Sequence, residues 1–296
     1  MALPHNEGST QNGDPSAALH FVQRLAEDLE GTSLVLPAFP DAVTRVQLAL
    51  QSETASTEDI VLILSSEPGL AARILQVANA WVIRRSGPKI TDLAQAVNRM
   101  GQDMVRSIAI AFGMRRFQGD TNYSTTARKE LKNTVSDAVH VAATAYVIAK
   151  HYTKLNSDDA LLAGLLHVMG RLYIIKRASE LTQISDEEQR QVYADWNAPI
   201  GRAIADSWAL PEDMGVAIEQ QDDDSVSDTG PVTLSHVLIG AKLLATGEAL
   251  EKFVEAEDPL PPVFGKLGIG SGKDDLESFL SAHGDEIDNM RSSLRA

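Results

Sequence analysis

From about residue 17 onward, apolar positions recur three and four residues apart, the spacing that gives a helix one apolar face. "AALHFVQRLAEDLE" places Leu19, Val22, Leu25, Ala26 and Leu29 in that pattern, and "FPDAVTRVQLAL" repeats it with Val43, Val46 and Leu50. "ASTEDIVLILSSEPGLAARILQVAN" reads as two helices: Ser56 and Asp59 have the spacing of a capping box, and Pro68 suits the first turn of the second helix. Thr91 is the expected cap of "TDLAQAVNRM", and Gly101 marks a break before the next helix. After the polar stretch "QGDTNYS" (118–124), a long helix is expected from Thr125 to His151. Another starts at Ser157, Asp158 and Asp159 and carries His167. Shorter helices follow in "PIGRAIADSWAL" and after Pro211, and a further one in "PVTLSHVLIGAKLLATGEALEKF". A Pro/Gly-rich connection then leads to a final pair of short helices. No stretch alternates in the manner of a strand. The expected fold class is all-α. It comprises a polar, disordered lead (1–16), two lobes (17–118 and 125–250) within one 17–250 domain, and a linker with a short helical C-terminal tail (251–296).

Composition narrows the function classes. The chain has 26 Lys and Arg against 41 Asp and Glu, a formal charge of −15, which repels phosphate backbones and argues against general nucleic-acid binding. Cysteine is absent, so disulfides and thiolate metal sites are excluded. The opening "MALPHNEGSTQNGDPS" lacks the basic start and apolar core of a secretory signal, and no apolar run is long enough to cross a bilayer. The expectation is a soluble cytoplasmic protein that does not engage membranes.

Three stretches carry a resemblance. "LPAFPDAVTRVQLAL", then "TEDIVLILSSEPGLAARILQVAN", then "ITDLAQAVNRMGQDMVRSIAIAF" resemble, in order and spacing, the HDOD domain family of bacterial signalling proteins. "LLAGLLHVMGRL" and "SWALPEDMGVAI" continue the likeness in the second lobe, and "GKLGIGSGKDDLESFL" resembles the end of stand-alone members. The resemblance implies an HD-like second lobe, related to phosphohydrolases that hold one or two metal ions with imidazoles and a shared carboxylate on facing helices. Such ions polarise a phosphoryl group and activate water.

Aligned on that pattern, the equipment is missing. "AGLLHVMGRLYII" has His167 where the His-Asp pair belongs, but Val168 replaces the carboxylate. Asp137 stands at the first superfamily His, with His140 almost one turn on. Asn197 replaces a His, Gln220 and Gln221 replace a His pair, and Ala241 replaces the last carboxylate. Amides are weak neutral ligands, and Val and Ala are not ligands. The expectation is a vestigial site with no catalytic residue, no metal and no cofactor. "GIGSGKDD" lacks the first Gly and the Ser/Thr of a phosphate loop, and no "GxSxG" elbow or strand supports a serine hydrolase.

Charge is unevenly spread. Between Gly69 and Gln118 lie eight Lys or Arg against two Asp, and from Glu180 to Asp258 four basic residues face eighteen acidic ones. Arg84 and Arg85, expected in the loop "WVIRRSGPK" near Trp81, together with Lys89, Arg115 and Arg116, are candidate contacts for a partner. The acidic run Asp222, Asp223 and Asp224 is a second candidate surface. The expected function is a non-catalytic regulatory module that binds protein partners in a signalling pathway. A sensor of an anionic ligand such as a nucleotide, without turnover, is the alternative. A divergent phosphohydrolase using Asp137, His140, His167 and Asp206 is the third reading.

Overall fold

Short polar side chains set where the helices begin. The Ser56 hydroxyl accepts from the Asp59 N–H at 3.2 Å while the Asp59 carboxylate accepts from the Ser56 N–H at 3.1 Å, the capping box that opens the helix Thr57–Ser65. Asp92, not Thr91, caps the helix Leu93–Met100: its Oδ1 accepts from the Gln95 N–H at 2.9 Å. Ser124 and Asn156 do the same for the helices starting at Thr125 and Ser157. Gly101, at φ 82°, turns the chain between two helices in a conformation that favours glycine.

The computed structural model describes residues 15–30, 41–51, 56–85, 89–117, 123–180, 186–223, 230–245 and 260–295, and the regular elements among them are all helical. In chain order these are α1 (Pro15–Glu30), α2 (Asp41–Gln51), α3 (Thr57–Ser65), α4 (Pro68–Arg85), α5 (Leu93–Met100), α6 (Gln102–Phe117) and α7 (Thr125–Tyr152). They continue as α8 (Ser157–Leu166), α9 (Met169–Glu180), α10 (Asp186–Ser207), α11 (Glu212–Glu219), α12 (Leu234–Ala245), α13 (Pro262–Leu267) and α14 (Lys273–Arg295). Residues 1–14, most of the expected disordered lead, lie outside the described residues.

α7 is the axis of the second lobe. Its stretch Val141–Ala149 is buried on every side, as expected of a helix surrounded by others; α8, α9, α12 and α14 pack against it. α2 to α6 form the first lobe, and α6 joins the two by packing on α7 and α8. Val43, Val46 and Leu50 form the buried face of α2. On α1 the buried positions are Phe21 and Leu25, whereas Leu19 is 59% exposed. That face turns α1 toward α10 of the second lobe. Asp28 there accepts from Tyr173 Oη at 2.7 Å and from Arg177 Nε at 2.9 Å.

Three elements differ from the pattern reading. The helix expected from Pro199 begins upstream at Asp186, so Pro199 lies inside α10; burial of Val192 against the core extends the helix past the proline's local penalty. The helix expected to carry His167 ends at Leu166, and α9 starts only at Met169. The C-terminal tail is not a pair of short helices: α14 runs from Lys273 to Arg295 and buries Leu276, Phe279, Ile287, Met290 and Leu294 against α7, α4 and α6.

Candidate functional site

The break at His167–Val168 is the centre of the site. A helix end leaves carbonyls without intrahelical partners, and burial forbids leaving them bare. His167 is 5% exposed and caps α8, its N–H donating to the Ala163 carbonyl at 3.0 Å. Its Nδ1–H donates to the Gly164 carbonyl at 2.7 Å. Its own carbonyl receives two side-chain amides: Asn197 Nδ2 at 3.2 Å and Gln221 Nε2 at 3.0 Å. Asn197 also serves the other side of the break, where its Oδ1 accepts from the Arg171 N–H at 2.8 Å in the first turn of α9. One amide therefore satisfies the end of one helix and the start of the next.

Close backbone approach makes this geometry. A Cβ on Gly170 would lie 2.1 Å from the Asn197 carbonyl oxygen, and one on Gly164 would lie 2.4 Å from the Ala142 Cα. Only glycine lets α9 meet α10, and α8 meet α7, at these separations. Val168 and Ala241 are buried apolar residues. Gln220 Oε1 accepts from the Ser235 hydroxyl at 2.8 Å.

The charges around His167 are cationic. Lys242, next to Ala241, donates from Nζ to Gln221 Oε1 at 3.0 Å and to the Asp222 carboxylate. Burial lowers the Lys242 pKa, against the pull of Asp222. Burial, then the Lys242 charge and that of Arg171, push the His167 pKa down to about 3, so the imidazole is neutral at ordinary pH. A site for a divalent cation needs the opposite field. Here a single imidazole stands among engaged amides, two aliphatic side chains and an ammonium. These residues do not fit a catalytic metal ion.

The other expected ligands lie elsewhere. Asp137 is exposed on α7; burial of its surroundings raises its pKa, against Arg171 and Arg295. His140 is half-buried and faces α14, where Arg291, Arg295 and Asp288 are its charged neighbours. Among the described residues no three donors that include Asp137, His140 or His167 come within 4.8 Å of one another. Asp206 is tied to Arg202, which also binds Glu212. Lys242 and Arg171 had no place in the sequence reading. For Lys242 the available signal was its place directly after Ala241, where the resemblance leads one to expect a carboxylate.

The candidate contact residues lie on different elements. Arg84 and Arg85 are the last residues of α4 rather than a loop, and their side chains, with those of Trp81 and Arg116, lie outside the described residues. Lys89 is exposed beside Ile90, whose N–H and carbonyl are clamped by the Asn79 amide at 2.9 and 2.7 Å. Arg115 is exposed near the end of α6. Among the described basic side chains of this region, Arg73 is 6% exposed and donates to the Ser293 carbonyl of α14, and the half-buried Arg106 donates to the Leu50 carbonyl at 3.2 Å. Asp222 is paired with Lys242, Asp223 is exposed, and Asp224 lies outside the described residues. Between the lobes is a cavity of about 210 Å³ lined by Gln47, Leu50 and Arg106 from one side and Trp208, Ala209, Leu210 and Pro211 from the other.

The HDOD domain model matches residues 36–224, which span α2 to α11 and include the His167 break. The chain belongs to the HDOD domain family. No curated protein matches it. The HDOD fold is shared with a candidate metal-dependent phosphohydrolase from Shewanella amazonensis, at 24% identity and a TM-score of 0.72 over 95% of this chain and 100% of that one. An HDOD domain protein of unknown function from Geobacter sulfurreducens matches at 18% identity and a TM-score of 0.59, over 95% of this chain and 98% of that one. A candidate signal transduction protein from Marinobacter aquaeolei matches at 21% identity and a TM-score of 0.56, over 96% of this chain and 67% of that one. At these identities the likeness concerns the HDOD fold. No helix among the described residues is long and apolar enough to cross a membrane.

Proposed function

We propose that this HDOD protein is a non-catalytic regulatory module of bacterial signal transduction that acts by binding protein partners. One observation carries the reading. At the helix end formed by His167, the side chains of Asn197 and Gln221 both donate to the His167 carbonyl, and Lys242 stands beside them as a cation. A pocket wired this way has exchanged coordination for structure. The basic positions Arg84, Arg85, Lys89, Arg115 and Arg116 and the acidic segment from Asp222 are the recognition surfaces of the proposal, and the module works in the cytoplasm. The test pairs two measurements on the full chain. Phosphodiester hydrolysis with Mn²⁺, Zn²⁺ or Mg²⁺ added is expected to equal that of His167→Ala. A partner captured from the native host by the unmodified chain is expected to be lost with the Arg84→Glu, Arg85→Glu variant at an unchanged helical circular dichroism spectrum. Turnover that disappears in His167→Ala overturns the reading.

A second reading has its own observation. Gln47 Nε2 is buried without a hydrogen-bond partner among the described residues, and Gln47 and Arg106 both line the cavity between the lobes. Two donor groups there suit an anionic ligand. The cavity's 210 Å³ is below the roughly 300–1,000 Å³ of ordinary ligand pockets, which favours a single phosphate or carboxylate group over a whole nucleotide. Thermal shift with inorganic phosphate, compared in Gln47→Leu, checks it.

A further inference from the structure

Far from His167, the C-terminal helix assembles a second set of donors. His283 and Glu286 are three residues apart and so share a face of α14. Opposite them is His151, in the last turn of α7. His151 Nε2 is 2.8 Å from Glu286 Oε2, the two imidazole rings have centroids 4.6 Å apart, and the donor atoms of all three residues lie within 4.8 Å of one another.

We propose that His151, His283 and Glu286 bind one divalent transition-metal ion of the zinc class, which fastens α14 to α7. Two imidazoles and a carboxylate are a donor set that zinc accepts, with a fourth position left for water. Tetrahedral ligands at about 2.0–2.2 Å from zinc stand about 3.3–3.6 Å from one another, so donors already this close need only small side-chain adjustments. The surroundings hold the donors in place, as supporting residues do around metal ligands. Lys150 Nζ donates to Glu286 Oε1 at 2.6 Å, leaving Oε2 toward His151. The Tyr152 hydroxyl lies 3.2 Å from His283 Nε2, and the Phe279 ring packs 5.2 Å from the His283 ring. His151 is 34% exposed, so an ion has a path in from solvent. The Lys150 ammonium opposes the ion and limits its affinity. The Glu286 carboxylate among the ligands supplies a negative charge to the ion.

The consequence reaches beyond the site. α14 touches α7, α4 and α6, so it leans on both lobes, and an ion at its centre strengthens that brace. His283 and Glu286 lie beyond residues 36–224, so the site is not a property of the matched HDOD segment. It also shares no residue with the proposed function, and either can fail alone.

The test uses the full chain without an oligohistidine tag, stripped with chelator and titrated separately with Zn²⁺ and Co²⁺. One equivalent of Zn²⁺ is expected to bind and to raise the melting temperature, and Co²⁺ to give the visible absorption of a four-coordinate site. His151→Ala, His283→Ala and Glu286→Gln are each expected to weaken binding by about tenfold or more, while His167→Ala leaves it unchanged. Glu286→Gln keeps side-chain size and carries the test if an alanine variant fails to fold. Absence of binding, binding retained in all three variants, or binding lost in His167→Ala overturns the proposal.

Discussion

At the residue scale, His167 matters because it is neutral and immobile. Its Nδ1–H is held by the Gly164 carbonyl, and burial with two nearby cations keeps its pKa at about 3 against an unfolded value of 6.5. Between those values the unfolded chain binds a proton that the folded chain refuses. His167 therefore adds no penalty above pH 6.5 and lowers stability progressively as pH falls toward 3. Compared with His167→Leu in urea titrations, the wild-type chain is expected to lose about 2 kcal/mol of relative stability on going from pH 7 to pH 4.5. A difference that stays constant with pH contradicts the buried neutral imidazole. The residue types at Val168, Asn197, Gln221 and Ala241 were legible one at a time. What those residues do was not, because hydrogen bonds from Asn197 and Gln221 to one carbonyl depend on sequence separations of 30 and 54 residues.

At the element scale, the joint between α8, α9 and α10 is held by one side-chain amide. Asn197 lies in α10, donates to the end of α8 and accepts from the start of α9. Asn197→Ala leaves a buried carbonyl with one fewer donor and an N–H without its acceptor, a cost of about 2–4 kcal/mol by chemical denaturation. A loss under about 0.5 kcal/mol would mean that the joint does not depend on this amide. Helix starts were legible wherever a polar side chain caps locally, as at Ser56 and Ser124. Asp92 won over Thr91 by a single residue, because its carboxylate reaches the Gln95 N–H. The break at His167 was not legible, since no Gly or Pro marks it. It exists because neighbouring elements satisfy the groups it exposes.

At the scale of the whole molecule, α14 is a structural part of the core rather than an appendage. It buries five apolar side chains, and two arginines connect it to the lobes: Arg73 of α4 donates to the Ser293 carbonyl, and Arg295 donates to the Ser136 carbonyl at 3.4 Å. Burying each such apolar side chain contributes about 1.5–3 kcal/mol, against a typical net stability of about 5–15 kcal/mol for a folded domain. Truncation after Gly272 is therefore expected to unfold the chain or leave it binding a hydrophobic dye with weakened near-ultraviolet dichroism. A truncated chain that melts as cooperatively as the full one would make the helix dispensable. The basic charge of the first lobe changes meaning at this scale too. Arg73, one of eight basic residues in its segment, is consumed inside the molecule, where burial and then Arg115 push its pKa down to about 10.

The sequence by itself determined the all-helical class, most helix starts and the family, because periodicity, capping and side-chain chemistry are local properties. Tertiary structure alone decided that α1 faces the second lobe, that amides and Lys242 rebuild the joint at His167, and that His151 meets His283 and Glu286. Those outcomes depend on helix crossings. A crossing brings together residues tens to more than a hundred positions apart, and no local pattern carries that information.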